Sequence, residues 1–122
     1  LIWNDGWDGF PAARKRLDQA LIDNKVKNLI IFGGDVHENW VGYVKADYSK
    51  PDSAVLGVEF CGTSITSIGN GAKYLDARLA KNPHFVFAEA SKKGYGVAAF
   101  TPHALTVSLR VVSDAQQEDT LI

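Results

Sequence analysis

The sequence predicts one α/β domain or half-domain spanning residues 1–122, in which apolar strands alternate with helical segments. Hydrophobic residues make up 46% and charged residues 22% of the chain, as in ordinary globular proteins. The strongest local pattern is the apolar run 29–32, which ends in Gly33 and Gly34. A run of this length, bounded by turn residues, is typical of a strand that is buried on both faces.

The remaining elements follow in order along the chain. Residues 3–9 form a loop of turn-forming residues, and a helix extends from Pro11, which suits a first helical turn, to Asn24 as C-cap. The last strand alternates in polarity, and together with the strand before it forms an antiparallel hairpin around Pro102 and His103. The other predicted elements are strands at 26–32, 40–46, 55–60, 84–88, 95–101 and 104–112, and a short helix at 72–80.

An Asp and a His directly follow the first strand. Asp35 and His37 come after two glycines, which allow the backbone to turn sharply. Catalytic and binding groups of open α/β sheets lie just beyond the carboxyl ends of the strands. A carboxylate and an imidazole are common ligands of hard and borderline metals, so both residues are candidate metal ligands. We expect their side chains on a common side, within about 8 Å of each other.

The residues alone leave a structural alternative open, in which Asp35 caps a turn and His37 is a partly buried histidine. Glu38 and Asn39 flank His37 and either assist a metal or substrate or lie exposed at the surface. His84 and His103 have no acidic neighbour at ligand spacing, which favours structural roles. Asx turns are the expected role of two residues of the tryptophan loop, Asp5 and Asp8.

Composition excludes several functional classes. The net charge of -1 gives no field that would favour nucleic acid or an acidic membrane, and no apolar stretch is long enough to span a bilayer. The single Cys61 excludes an intrachain disulfide, and we expect a buried, inert thiol. The segment 62–64 lacks the lysine of a phosphate-binding loop, and Ser64 does not sit in a nucleophile elbow.

Several motifs, in the same order along the chain, resemble those of the PhoD-like alkaline phosphatases. Residues 4–14 resemble the stretch DxWDGYPxxR, and residues 34–37 with Trp40 resemble GDVHxxW. Residues 58–67 resemble vEFvgtSitS. Shorter matches are NPH at 82–84, rGY at 93–95 and RVVD at 110–114.

This resemblance implies the calcineurin-like metallophosphoesterase fold, a sandwich of two mixed sheets with flanking helices, of which the chain resembles the C-terminal half. It implies that Asp35 and His37 are metal ligands, and that an absent N-terminal part supplies the others. It also implies iron and calcium as cofactors, phosphate esters as substrates and a secreted or periplasmic location. The chain has no Met and begins with Leu1, so we expect a processed or excised piece or a sequence lacking its ends. A missing signal peptide therefore carries no weight.

Two functional hypotheses follow. The first is the C-terminal portion of a metal-dependent phosphatase that hydrolyses phosphate mono- or diesters, inactive by itself because two ligands are too few for a tight site. The alternative is a catalytically inactive fragment or truncated paralogue that acts as an interaction module. Because half of a sandwich leaves strands around Ile30, Val58 and Val97 uncovered, we also expect a homo-oligomer that forms through an exposed apolar surface.

Overall fold

The computed structural model describes residues 6–69 and 71–119 and contains a four-stranded mixed sheet and a two-stranded hairpin. The interpretation of Asp5 lies outside the described residues. One turn of 3₁₀ helix precedes each α-helix. The elements are helices α1 (Pro11–Asp23) and α2 (Leu75–Lys81) and strands β1 (Leu29–Gly33), β2 (Asn39–Lys45), β3 (Val55–Cys61), β4 (Phe85–Glu89), β5 (Gly94–Phe100) and β6 (Leu105–Val111).

The larger sheet has the strand order β1-β3-β2-β4. Strand β1 runs parallel to β3, whereas β2 runs antiparallel to both β3 and β4. Strands β5 and β6 form the predicted hairpin, in which the amide of Thr101 donates to the carbonyl of Ala104 across the turn. The mixed sheet with helices confirms the predicted fold class.

The first strand begins three residues later than predicted. Lys25 and Asn28 have φ values of 50° and 56°, which are incompatible with an extended strand. Residues 26–28 therefore belong to the turn after α1, and the side chain of Val26 is exposed. Regular pairing starts at Leu29, opposite Gly57.

The prediction that β1 is buried on both faces is wrong. Within the described residues β1 is an edge strand with one neighbour, β3. Leu17 of α1 and Ile31 of β1 line the same cleft on one face of the sheet. On the opposite face Phe32 remains 54% exposed, and its ring meets those of Phe60 and Phe100. Burial of an apolar run depends on layers that cover it, and this second face has only a partial layer.

The buried side chains lie mainly where β2 and β3 meet the loops that follow β1 and β3. Large apolar side chains elsewhere remain exposed, including Phe87 at 45% and Phe100 at 66%. Neither helix of the described ranges is long and apolar enough to cross a bilayer. In the described part of the chain, the buried side chains are those of Glu38, Asn39, Trp40, Val44, Cys61 and Ala90.

We expect Gly57→Ala to destabilise the chain by about 1–3 kcal/mol, because a Cβ at Gly57 would overlap the backbone and side chain of Leu29 on the neighbouring strand. Urea unfolding followed by circular dichroism measures the change. Gly62→Ala is the matched control, since nothing lies within 4 Å of a Cβ at that position. Equal unfolding free energies for the two variants would contradict the close approach of β1 and β3.

Candidate metal site

The loop between β1 and β2 contains two residues with unusual backbone conformations. Asp35 has φ 73° and His37 has φ 59°, in the region that side chains other than glycine rarely adopt. The amide of Val36 donates to the carbonyl of Gly34 at 2.9 Å, which closes a three-residue γ-turn centred on Asp35. Such conformations persist where the surrounding structure holds them, and they concentrate at functional sites.

His37 is held at both its ring and its main chain. Ring atom Nδ1 lies 2.9 Å from the carbonyl oxygen of Ile68. The main-chain carbonyl of His37 accepts hydrogen bonds from Thr63 Oγ1 and Lys93 Nζ, each at 3.0 Å. Gly69 packs so closely that a Cβ there would lie 2.7 Å from the same carbonyl oxygen. The segment 63–69 therefore fixes the position of His37.

These contacts define which nitrogen of His37 is available. A carbonyl only accepts hydrogen bonds, so Nδ1 carries the proton and donates to Ile68. In the neutral ring, Nε2 then keeps its lone pair free for a ligand. A metal-bound histidine is oriented in this way, by a hydrogen bond from its other nitrogen. Asp35 is exposed and makes no hydrogen bond or ion pair with the other described residues, so its carboxylate is available as well.

The residue after His37 is fully buried. Glu38 receives both terminal nitrogens of Arg78 in a bidentate ion pair, at 2.8 and 3.1 Å. Trp40 Nε1 donates to the same carboxylate at 2.9 Å, and the Arg78 guanidinium stacks over the Trp40 ring. This cluster joins the loop to α2 through one carboxylate whose two oxygens are both paired.

Surface exposure of Glu38 and Asn39, one of the two predicted alternatives, is therefore wrong. Asn39 is 2% exposed, and its side-chain oxygen accepts the amide hydrogen of Thr63 at 3.0 Å. Glu38 is directed at Arg78, which follows it by 40 residues. A polar side chain can be buried when a partner elsewhere in the chain satisfies its hydrogen bonds. The sequence around Glu38 and Asn39 does not reveal such a partner.

Cys61 is buried at the end of β3, as predicted, with its thiol directed toward the carbonyls of Gly34 and Glu38. Burial raises the pKa of this thiol to about 11. Three carboxylates act in the same direction: Glu59, Glu38 and Asp35. The thiolate is the nucleophilic form of cysteine, so Cys61 is a poor nucleophile at neutral pH.

We expect alkylation of Cys61 by iodoacetamide at pH 8 to be at least about 100-fold slower than that of free cysteine, because a thiol with the raised pKa supplies little thiolate. Mass spectrometry over a time course measures the rate. The same chain in concentrated urea serves as control and should react like free cysteine. Equal rates in the folded and unfolded chain would show that the thiol is neither buried nor shifted in pKa.

Comparison with known proteins identifies the family. The profile of the PhoD-like phosphatases matches residues 1–109. The chain belongs to the PhoD-like phosphatase family. Alkaline phosphatase D of Bacillus subtilis (strain 168) is 39% identical over 111 residues, which are 88% of this chain and 19% of that protein. A solved structure, "Structure of PhoD", matches with a TM-score of 0.88 and 36% identity over 96% of this chain and 23% of its own.

The chain thus spans about a fifth of the length of the curated relative it matches. Membership of the PhoD-like family implies dependence on metal ions. In the described residues, Asp35 offers a hard oxygen donor and His37 a borderline nitrogen donor, and both fit iron, while the carboxylate also fits calcium. No group of three or more His, Cys, Asp or Glu suited to holding a metal occurs in the described part of the chain. These residues therefore fit part of a metal site and need further ligands.

The other predicted residues fall outside this site. The His84 ring packs against Tyr48 and Phe85 at centroid distances of 4.8 and 4.4 Å, and burial lowers the pKa of His84. His103 lies in the turn between β5 and β6. Asp8 forms an ion pair with Arg14 at 2.7 Å, and the amide of Phe10 donates to the carbonyl of Trp7 instead of to the Asp8 side chain, so the expectation of an Asx turn is wrong for this residue.

Sequence reasoning missed the main chain of Ile68 and three side chains that hold the loop, those of Thr63, Arg78 and Lys93. Thr63 and Lys93 lie within the stretches 58–67 and 93–95, which resemble motifs of the family. That resemblance was the sequence signal that could have identified them. Arg78 lies on a short helix whose pattern gave no sign of a partner at Glu38.

Proposed function

We propose that this chain is part of a metal-dependent phosphatase that hydrolyses phosphate mono- or diesters. Asp35 and His37 contribute to a metal site that residues outside this chain complete. The observation that supports this most is the His37 ring, whose Nδ1 lies 2.9 Å from the carbonyl oxygen of Ile68, which leaves Nε2 available as a ligand. Two positions earlier, Asp35 is exposed, and its carboxylate has no hydrogen bond or ion pair with the other described residues. Two strained residues at the end of a strand agree with a site that is held for function.

Each residue has a stated task in this proposal. Iron and calcium, when bound, would supply charge neutralisation and an activated water for attack on phosphorus. Asp35 would provide an oxygen ligand, and His37 a neutral nitrogen ligand. The carbonyl of Ile68 fixes the tautomer of His37, and the Arg78–Glu38 ion pair holds the loop against α2.

A chimera tests the proposed function. The matched segment of Bacillus subtilis alkaline phosphatase D is replaced by this chain, and hydrolysis of p-nitrophenyl phosphate and bis(p-nitrophenyl) phosphate is measured with iron and calcium present. We expect turnover by the chimera and none by the same protein without the segment. Circular dichroism and metal analysis verify that the chimera is folded and loaded. A folded, metal-loaded chimera that hydrolyses neither ester would contradict the proposal.

The isolated 122-residue chain should show little or no hydrolysis of the same two esters. Asp35 and His37 are too few ligands to hold a multi-metal site, and without the metals the attacking water is not activated. The assay uses the purified chain in the presence of both metals, with inorganic buffer as the blank. Metal-dependent turnover that Asp35→Ala abolishes would show that this chain already contains a complete site.

We propose a second property, self-association of the isolated chain, because apolar side chains remain exposed on its surface. The side chains of Phe32, Phe87 and Phe100 are 54%, 45% and 66% exposed. Exposed apolar surface of this kind drives association. Sedimentation velocity at roughly 100 μM should show dimers or larger species. Phe32→Lys should reduce them, whereas Ile65→Lys, in a loop, serves as control. A wild-type monomer that binds no hydrophobic dye would contradict self-association.

A further inference from the structure

Lys93 is connected to the candidate metal site through a single atom, the main-chain oxygen of His37. Its ammonium donates to that oxygen at 3.0 Å, across 56 residues of sequence. We infer that Lys93 is a positioning residue for His37, which keeps the imidazole in the orientation that presents Nε2 to a metal. The inference rests on the proposed function for its purpose, but its structural content is independent of the reaction.

The need for such a residue comes from the backbone of the loop. His37 adopts φ 59°, a left-handed conformation that is unfavourable for a residue other than glycine. Without compensating contacts, the peptide after His37 would relax and carry the ring with it. The carbonyl that Lys93 binds belongs to that peptide, so the hydrogen bond acts directly on the strained unit.

The carbonyl of His37 has both acceptor positions filled. Thr63 Oγ1 lies 3.0 Å from it and Lys93 Nζ also 3.0 Å, while Gly69 closes the remaining side. Thr63 alone is a weaker restraint, because its hydroxyl is also 3.1 Å from the carbonyl of Lys92 and has one hydrogen to donate. The charged donor of Lys93 is therefore the stronger of the two restraints.

The main chain of Lys93 is itself fixed. Its carbonyl accepts the amide hydrogen of Val112 at 2.8 Å, at the open end of the hairpin. The next residue, Gly94, donates to the carbonyl of Ser64 at 3.1 Å and begins β5. The side chain thus extends from a rigid anchor toward the loop, and the hairpin is joined to the candidate metal site.

The neighbouring lysine shows that this arrangement is specific to Lys93. Lys92 is exposed, and its ammonium reaches the carbonyl of Ser113 at 3.2 Å, away from the site. Lys93 is partly buried, and a Cβ on Gly69 would stand 3.3 Å from its ammonium.

The test compares Lys93→Met, Lys93→Arg and Lys92→Met in the full 122-residue chain. Long-range ¹H–¹⁵N spectra of the metal-free chain report the tautomer of His37, and titration with Zn²⁺ reports its availability as a ligand. The wild-type ring should be protonated at Nδ1. Lys93→Met should lose this single tautomer and weaken Zn²⁺ binding about tenfold, whereas Lys93→Arg and Lys92→Met stay close to wild type.

The outcomes separate this inference from the proposed function. A Lys93→Met chain with the wild-type tautomer and Zn²⁺ affinity would overturn the positioning role, as would a wild-type ring protonated at Nε2. Loss of the tautomer equally in Lys92→Met would assign the effect to charge rather than to contact and would also overturn it. If Asp35→Ala leaves Zn²⁺ affinity unchanged, the proposed metal site fails, while the tautomer still decides the role of Lys93. Urea unfolding verifies that each variant is folded.

Discussion

Asp35→Ala and His37→Ala should each lower kcat/KM of the chimera for bis(p-nitrophenyl) phosphate by about 100-fold or more. A metal contributes several kcal/mol to the stabilisation of the transition state, and every 1.36 kcal/mol corresponds to about tenfold in rate. Removing a ligand displaces or releases the metal and forfeits most of that stabilisation. Steady-state kinetics with metal analysis of the same samples measures both effects.

His103→Ala is the matched control for His37→Ala, since His103 lies in the turn between β5 and β6, outside the loop that contains Asp35 and His37. Its kcat/KM should equal that of the unmodified chimera. If Asp35→Ala or His37→Ala also leaves kcat/KM and metal content unchanged, that residue does not belong to the site, and the proposed assignment is wrong for it.

The second large effect concerns the buried ion pair. Arg78→Ala should destabilise the chain by about 3 kcal/mol, because it leaves the fully buried carboxylate of Glu38 without its charged partner. The lower end of the usual range applies, since the Arg78 side chain is 35% exposed and water can partly replace it. Trp40 Nε1 would be the remaining donor to Glu38 among the described residues.

Equilibrium unfolding in urea measures this loss, with Lys50→Ala as control. Lys50 pairs with Asp47 at the surface, and its removal should cost less than about 1 kcal/mol. Similar losses for Arg78→Ala and Lys50→Ala would show that the Glu38 pair is not buried in solution. This test measures stability and not phosphatase activity, so its outcome is independent of the proposed function.

The predicted elements agree with the structure where the determining signal is local. Pro11 and Asn24 mark the ends of α1, and the polarity alternation before Val111 marks β6, because both signals lie within a few residues of the element. The strand β1 was predicted three residues too early at its start and was wrongly judged to be buried on both faces. Its exposure at Phe32 depends on which layer lies opposite, and no local pattern contains that information.

Of the candidate site, only the loop with Asp35 and His37 was predicted from the sequence. The order of strand, two glycines, Asp35 and His37 pointed to the loop without any structure. The residues that hold it are distant in sequence: Ile68 by 31 positions and Lys93 by 56. Contacts between residues so far apart in sequence arise from the way the strands pair. They cannot be predicted from patterns of neighbouring residues along the chain. Surface exposure, one of the two alternatives left open for Glu38, is wrong for the same reason.

The central claim is that Asp35 and His37 bind metal together through a carboxylate oxygen and Nε2. Anomalous diffraction at the iron edge, from crystals of the chimera grown with iron and calcium, tests it most directly. We expect metal within about 2.5 Å of both Asp35 and His37 Nε2, with Nδ1 still bonded to the carbonyl of Ile68. Metal bound without either residue, or bound through Nδ1 of His37, would contradict it.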